Sequence, residues 1–143
     1  MPTTELAPIL LPVFVLIAWT LVVFIWMYAT RMPAMAKAEV DPQAVKHPAA
    51  LPGILPSNVE AIADNYNHLM EQPTVFYATC FFLAISGLAD STAVTLAWAY
   101  VGFRIVHSLV QNTANVVMAR FIVFTLSTIA LIAMVVRAGL ALL

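Results

Sequence analysis

Charge is what this sequence has least of. Six lysines and arginines and seven aspartates and glutamates occur among 143 residues, so 9% of the chain is charged, against roughly 25% in a soluble domain. The few charges cluster, leaving 6–30, 72–89 and 121–136 without one, and a chain so poor in polar surface is excluded from water. A net charge of −1 provides no basic footprint, which removes nucleic acid as a partner. The single cysteine, Cys80, lies in an apolar stretch; it excludes an intrachain disulfide and reads as a small buried hydrophobe. With four glycines in the whole chain, no phosphate-cradling glycine-rich loop exists. The start also lacks the basic segment of a secretory leader. Glu5 is acidic and the apolar run behind it is too long for a cleaved h-region, so it reads as a retained first span.

What the chain does have is hydrophobic length, at 63% of residues. A helix needs about 20 apolar residues to cross the roughly 30 Å hydrocarbon core. The pattern predicts an all-α membrane protein of one domain, 1–143, a bundle of four transmembrane helices over about 6–29, 58–86, 91–113 and 116–142. Pro8 and Pro12 fall in early turns of the first helix, where missing amide donors matter least. Five prolines with Lys37 and Lys46 mark 31–57 as a polar connection. Ser57 or Asn58 is expected to cap the second helix, Gly87 to end it, and Asp90 or Ser91 to cap the third. Asn112 and Asn115 mark the last turn. Arg31, Lys37 and Lys46 lie in the first connection and Arg120 follows the third, so the positive-inside bias places connections one and three in the cytoplasm and both termini outside. Arg137 dissents, close enough to the chain end to snorkel.

The polar residues are arranged by helical period. Glu60, Asp64, Asn67, His68 and Glu71 fall within about a 100° arc of the second helix, and Tyr100, Arg104, His107 and Gln111 share a narrower arc of the third. An ionisable group inside a span is expensive and usually faces the bundle interior or a wet cavity. The simplest arrangement sets the acidic face of helix two against Arg104 and His107. One reading makes these contacts structural, since interhelical polar contacts in membranes contribute roughly 0.6 to 2 kcal/mol each; the other makes them a site, because three carboxylates, two histidines, Arg104 and Arg120 converge where water reaches. Pro73 supplies no amide to the Leu69 carbonyl, so helix two should bend just beyond Glu71. His68 and Glu71, three apart, have ligand spacing, but His47 lies in a distant loop and no metal is expected. Ser108 points away from its neighbour His107, and Trp19 and Trp26 read as packing residues.

The run VEAIADNYNHLMEQPTVF over 59–76, then Arg104-x-x-His107 and Arg120 at the start of helix four, resembles the MAPEG family, the membrane-associated proteins in eicosanoid and glutathione metabolism. The resemblance covers nearly the whole chain. It implies a left-handed four-helix bundle, a homotrimer, and glutathione bound between neighbouring subunits. Glu60, Glu71, Arg104, His107 and Arg120 coincide with motif positions, and Arg31 matches a basic residue at the end of helix one. By resemblance Arg120 is the catalytic candidate; Arg31, Glu71, Arg104, His107, Asn67, His68 and Gln111 are the binding candidates.

The chain also departs from the pattern. Ala61, Asp64 and Asn67 stand where the family's enzymes carry arginines, His68 takes the place of the motif asparagine, and Gln111 and Phe124 replace tyrosines. Asp64 opposes a ligand with two carboxylates, since a like-charge contact at 4 Å is worth up to about 4 kcal/mol at an effective dielectric near 20. The resemblance implies a membrane enzyme, a glutathione transferase or peroxidase acting on lipophilic electrophiles that enter from the lipid. The alternatives are a non-catalytic trimer that binds lipid or a partner, and, less favoured, a small transporter, for which no internal repeat is evident.

Overall fold

The computed structural model describes residues 7–41, 43 and 53–143, and these form four helices: α1 (Leu10–Lys37), α2 (Ser57–Ile85), α3 (Ser91–Asn112) and α4 (Val117–Leu140). Helices α1, α3 and α4 are long and apolar enough to cross a membrane. α2 is the longest, at 29 residues, but Glu60, Asp64 and Glu71 make its first half too polar to qualify by composition. Side-chain pairs fix the directions. Phe24 meets Tyr66 at a ring separation of 5.5 Å, Tyr100 stacks on Phe76 at 4.3 Å, and Arg137 reaches Asp90. Consecutive helices therefore run antiparallel, up, down, up and down. The core is a column of Leu16, Val23, Leu69, Phe76, Val101 and Met134 with small residues such as Ala97 and Ala130 between them.

Helix ends depart from expectation in instructive ways. α1 runs eight residues beyond the expected stop at 29, through Pro33 and on to Lys37. A proline costs one donor, but Ala34, Met35, Ala36 and Lys37 all favour helix, and the end is closed by backbone bonds from Glu39 to Ala36 (3.2 Å) and from Val40 to Met35 (3.2 Å). Glu39 accepts the left-handed conformation that this turn needs, φ +50°. Arg31 and Lys37 thus belong to helix; Lys46 and His47 lie outside the described residues, as does Glu5. Neither Ser57 nor Asn58 caps α2. The N-cap is Pro56, and Glu60 Oε1 instead accepts the Gly53 amide at 3.0 Å, placing a carboxylate on the first turn where the helix dipole favours it.

α1 begins at Leu10 rather than near residue 6, so Pro8 precedes the helix and only Pro12 falls in its first turn; the ends around the last two turns follow the sequence closely. Gly87, at φ +71°, closes α2 after Ile85, with the Leu88 amide bonded to the Leu83 carbonyl at 3.0 Å. Asp90 caps α3 by accepting the Ala93 amide at 2.7 Å. Asn115, at φ +49°, turns the chain from α3 into α4.

Candidate functional site

The inner side of α2 is not its acidic side. The residues that meet α3 and α4 are Ala61, Asn65, His68 and Gln72, spaced by three and four so that they share a stripe. They form a polar seam. The Gln111 amide donates to the Ala61 carbonyl (3.4 Å), Asn65 Nδ2 donates to Asn112 Oδ1 (2.9 Å), Ser108 Oγ donates to Asn65 Oδ1 (3.0 Å), and the Tyr100 hydroxyl donates to Gln72 Oε1 (3.3 Å). Gln72 Nε2 passes the seam on to Thr128 of α4 at 3.0 Å. Asp64, Asn67 and Glu71 sit one step round the helix and are exposed. The expected pairing of α2 carboxylates with Arg104 is therefore corrected. Rotation by one residue, 100°, separates the acidic stripe from the seam.

Arg104 lies in the middle of the seam, completely buried. Its Nη2 donates to the backbone carbonyl of His68 at 2.9 Å, and its Cζ lies 5.4 Å from the centre of the Phe124 ring, within cation–π reach. The carbonyl that Pro73 leaves without a helical donor is that of Leu69, one residue further on, so the His68 carbonyl accepts from Arg104 in addition to its place in the helix. Nε and Nη1 of Arg104 have no partner among the described residues.

Around that guanidinium three rings gather. His68 and His107 lie edge to face at 5.6 Å, and Phe124 is 5.9 Å from His68 and 6.0 Å from His107. Their outer side opens into a cleft of about 210 Å³ lined by His68, His107, Val117, Arg120, Phe121 and Phe124. Arg120 is anchored there, its Nη1 donating to Asn115 Oδ1 at 2.6 Å, while its Nε is buried without a partner. His107, only 3% exposed, likewise leaves Nδ1 unpaired. The cleft thus combines an apolar mouth with two imidazoles and a cation, an arrangement suited to holding an anion beside a lipophilic molecule.

The sequence profile of the MAPEG family matches residues 9–140. The chain belongs to the MAPEG family. No curated protein and no solved structure matches the chain.

In this MAPEG chain the candidate residues fall into three places. Arg120, His68 and His107 share the cleft, and Arg104 supports it from behind. Gln111 is buried in the seam and faces Ala61 rather than the cleft. The rest are elsewhere: Glu71, its side chain 70% exposed, touches the cleft only through His68, Oε2 to Nδ1, at 3.7 Å, Asn67 is exposed, and Arg31 lines a separate groove with Met27, Tyr28, Met32 and Met35 on α1. Among the described residues the backbones of α1 and α4 do not come close, so the single chain does not bring Arg31 to Arg120. No three metal-ligating side chains converge among the described residues.

Asn65, Gln72 and Thr128 were not singled out from sequence, and Asn112 was singled out only as a turn residue. Asn65 and Gln72 are seven apart on α2, and Tyr100, Arg104 and Ser108 repeat every four on α3; matching those two ladders antiparallel would have located the seam.

Proposed function

We propose that this MAPEG protein is a membrane enzyme of the transferase or peroxidase type, in which a small thiol attacks a lipophilic electrophile or peroxide that enters from the bilayer. Glutathione is the proposed thiol and the homotrimer the proposed assembly. The observation that carries the reading is Arg120: its Nη1 is tethered to Asn115 while Nε stays buried and unpaired beside an apolar cleft.

The thiol end of glutathione fits these residues. A cation within hydrogen-bond reach of a thiol lowers its pKa and favours the thiolate. Arg120 would hold that negative charge, with the proton leaving to water at the mouth. Phe121, Phe124 and Val117 admit the lipophilic partner and keep water from it. Bound glutathione would supply the sulfur nucleophile. Its two carboxylates fit less well, since Asp64 and Glu71 on α2 are exposed acids. Arg31 would compensate from a neighbouring protomer, with Glu71 taking the ammonium and Arg104, buried behind the cleft, adding positive potential.

The same reading takes α2 as a fourth crossing, since it packs along α1, α3 and α4. Connections one and three are assigned to the cytoplasm by the lysines and arginines in and beside them, where glutathione would reach the cleft. The test is calorimetric: glutathione titrated into purified protein in mild detergent should give a saturable heat that Arg120→Ala removes. No heat at millimolar glutathione would refute this thiol. The outward acids also favour a second reading, a non-catalytic trimer that uses the cleft for a lipid or partner, and that reading survives the negative result.

A further inference from the structure

At the opposite end of the bundle from Arg120, the termini of three helices enclose a cavity of about 310 Å³. Leu83, Leu88, Met134 and Ala138 form its apolar part, and Asp90 and Arg137 stand at it as an ion pair, Nη2 to Oδ2, 2.6 Å apart. Ala138 also lines an adjoining groove of about 340 Å³ between α2 and α4, with Ala78, Phe82 and Val135. Arg120 and Arg137 bracket one uncharged stretch of α4 roughly 25 Å long, close to the thickness of the hydrocarbon core. With that stretch laid across the hydrocarbon, the ion pair stands at the headgroup level of one leaflet, and the groove runs from it toward the hydrocarbon.

The pair is not saturated. Both side chains are about half exposed, 48% for Arg137 and 52% for Asp90. Arg137 has further N–H donors and the Asp90 carboxylate has further lone pairs, beyond the bonds to each other and to the Ala93 amide. A ligand of two opposite charges laid across them in register makes every neighbouring contact attractive. A purely anionic ligand meets Asp90, and a purely cationic one meets Arg137.

We propose that this cavity binds a phospholipid with a zwitterionic headgroup, its phosphate on Arg137, its primary ammonium on Asp90 and one acyl chain in the groove past Ala138. A primary ammonium donates hydrogen bonds to the carboxylate; the quaternary ammonium of choline does not. Phosphatidylethanolamine is therefore preferred over phosphatidylcholine, and over phosphatidylglycerol, which brings a phosphate without a cation. This inference requires only that the protein sits in a membrane, and it stands or falls apart from any thiol chemistry.

The experiment is a native mass spectrometry titration of the full chain in mild detergent with these three lipids, acyl chains matched. Phosphatidylethanolamine should bind roughly tenfold tighter than either other lipid, the value of one charge-assisted hydrogen bond, and millimolar inorganic phosphate should not displace it. Arg137→Gln should weaken all three. Asp90→Asn keeps an N-cap side chain and should abolish the preference for ethanolamine over glycerol, a change of order within one folded variant that lost stability cannot mimic. Equal binding of the three lipids by the wild type, displacement by phosphate, or an unchanged preference in Asp90→Asn would overturn the proposal.

Discussion

Arg104 donates to the main-chain carbonyl of His68, 2.9 Å away, and among the described residues it forms no ion pair with a carboxylate. A completely buried guanidinium held this way carries a desolvation cost that one hydrogen bond and the Phe124 face offset only in part.

This predicts two different outcomes at one position. Arg104→Met keeps most of the volume and removes the buried charge, and replacing buried charge by well-packed apolar groups is often neutral or stabilising by about 1–4 kcal/mol. Arg104→Ala leaves a cavity and should destabilise by about 2–5 kcal/mol. Unfolding in mixed detergent and dodecyl sulfate measures both. A strongly destabilised Arg104→Met would mean that the cation is needed for the fold.

Asn65 joins two rungs of the seam, donating to Asn112 and accepting from Ser108. Polar contacts between membrane helices average about 0.6 kcal/mol and reach about 1.7, so Asn65→Ala should lower stability by about 1–2 kcal/mol. In a Ser108→Ala background the same change should cost less, because one partner is already gone. The measurement is a double-mutant cycle by the same unfolding assay. Strict additivity would contradict the seam.

The four helices, three of them apolar enough to cross a membrane, were legible because long apolar stretches have few other readings, and Gly87 and Asp90 marked the α2–α3 turn through conformational and capping preferences that act locally. The end of α1 was not legible, since Pro33 argues for a stop and only the Glu39 turn shows where the helix closes. The orientation of α2 misled for a different reason. Amphipathicity identifies a polar stripe, but beside lipid and other helices it does not say which stripe faces inward; the acids face out and Asn65 and Gln72 face in. The pairing of Asp90 with Arg137 was within reach. α3 and α4 are antiparallel and nearly equal in length, 22 and 24 residues, so the start of one lies beside the end of the other.

The Asp90 carboxyl is held below its ordinary range, first by the Ala93 amide, then by Arg137 and the Thr92 amide. A depressed folded pKa gives stability that is present above the unfolded value, about 3.9, and lost as pH falls through the folded one. Wild-type protein should lose thermal stability on acidification below about pH 4. Asp90→Asn should be less stable than wild type at pH 7 and show a smaller acid loss; parallel curves for the two proteins would contradict the linkage.

Asp64 is exposed on the acidic stripe. Asp64→Arg replaces repulsion of a carboxylate by attraction and should tighten glutathione binding at least about tenfold, read by calorimetry. If neither wild type nor variant binds, the scaffold serves another ligand and the non-catalytic reading gains.

The central claim is that Arg120 stabilises a thiolate at the cleft, and ultraviolet difference absorbance on mixing protein with glutathione near neutral pH tests it most directly. The account predicts a thiolate band in the wild type that Arg120→Ala abolishes, with helical content and oligomeric state unchanged. A band of equal size in Arg120→Ala, or none in a wild type that binds glutathione, would contradict it.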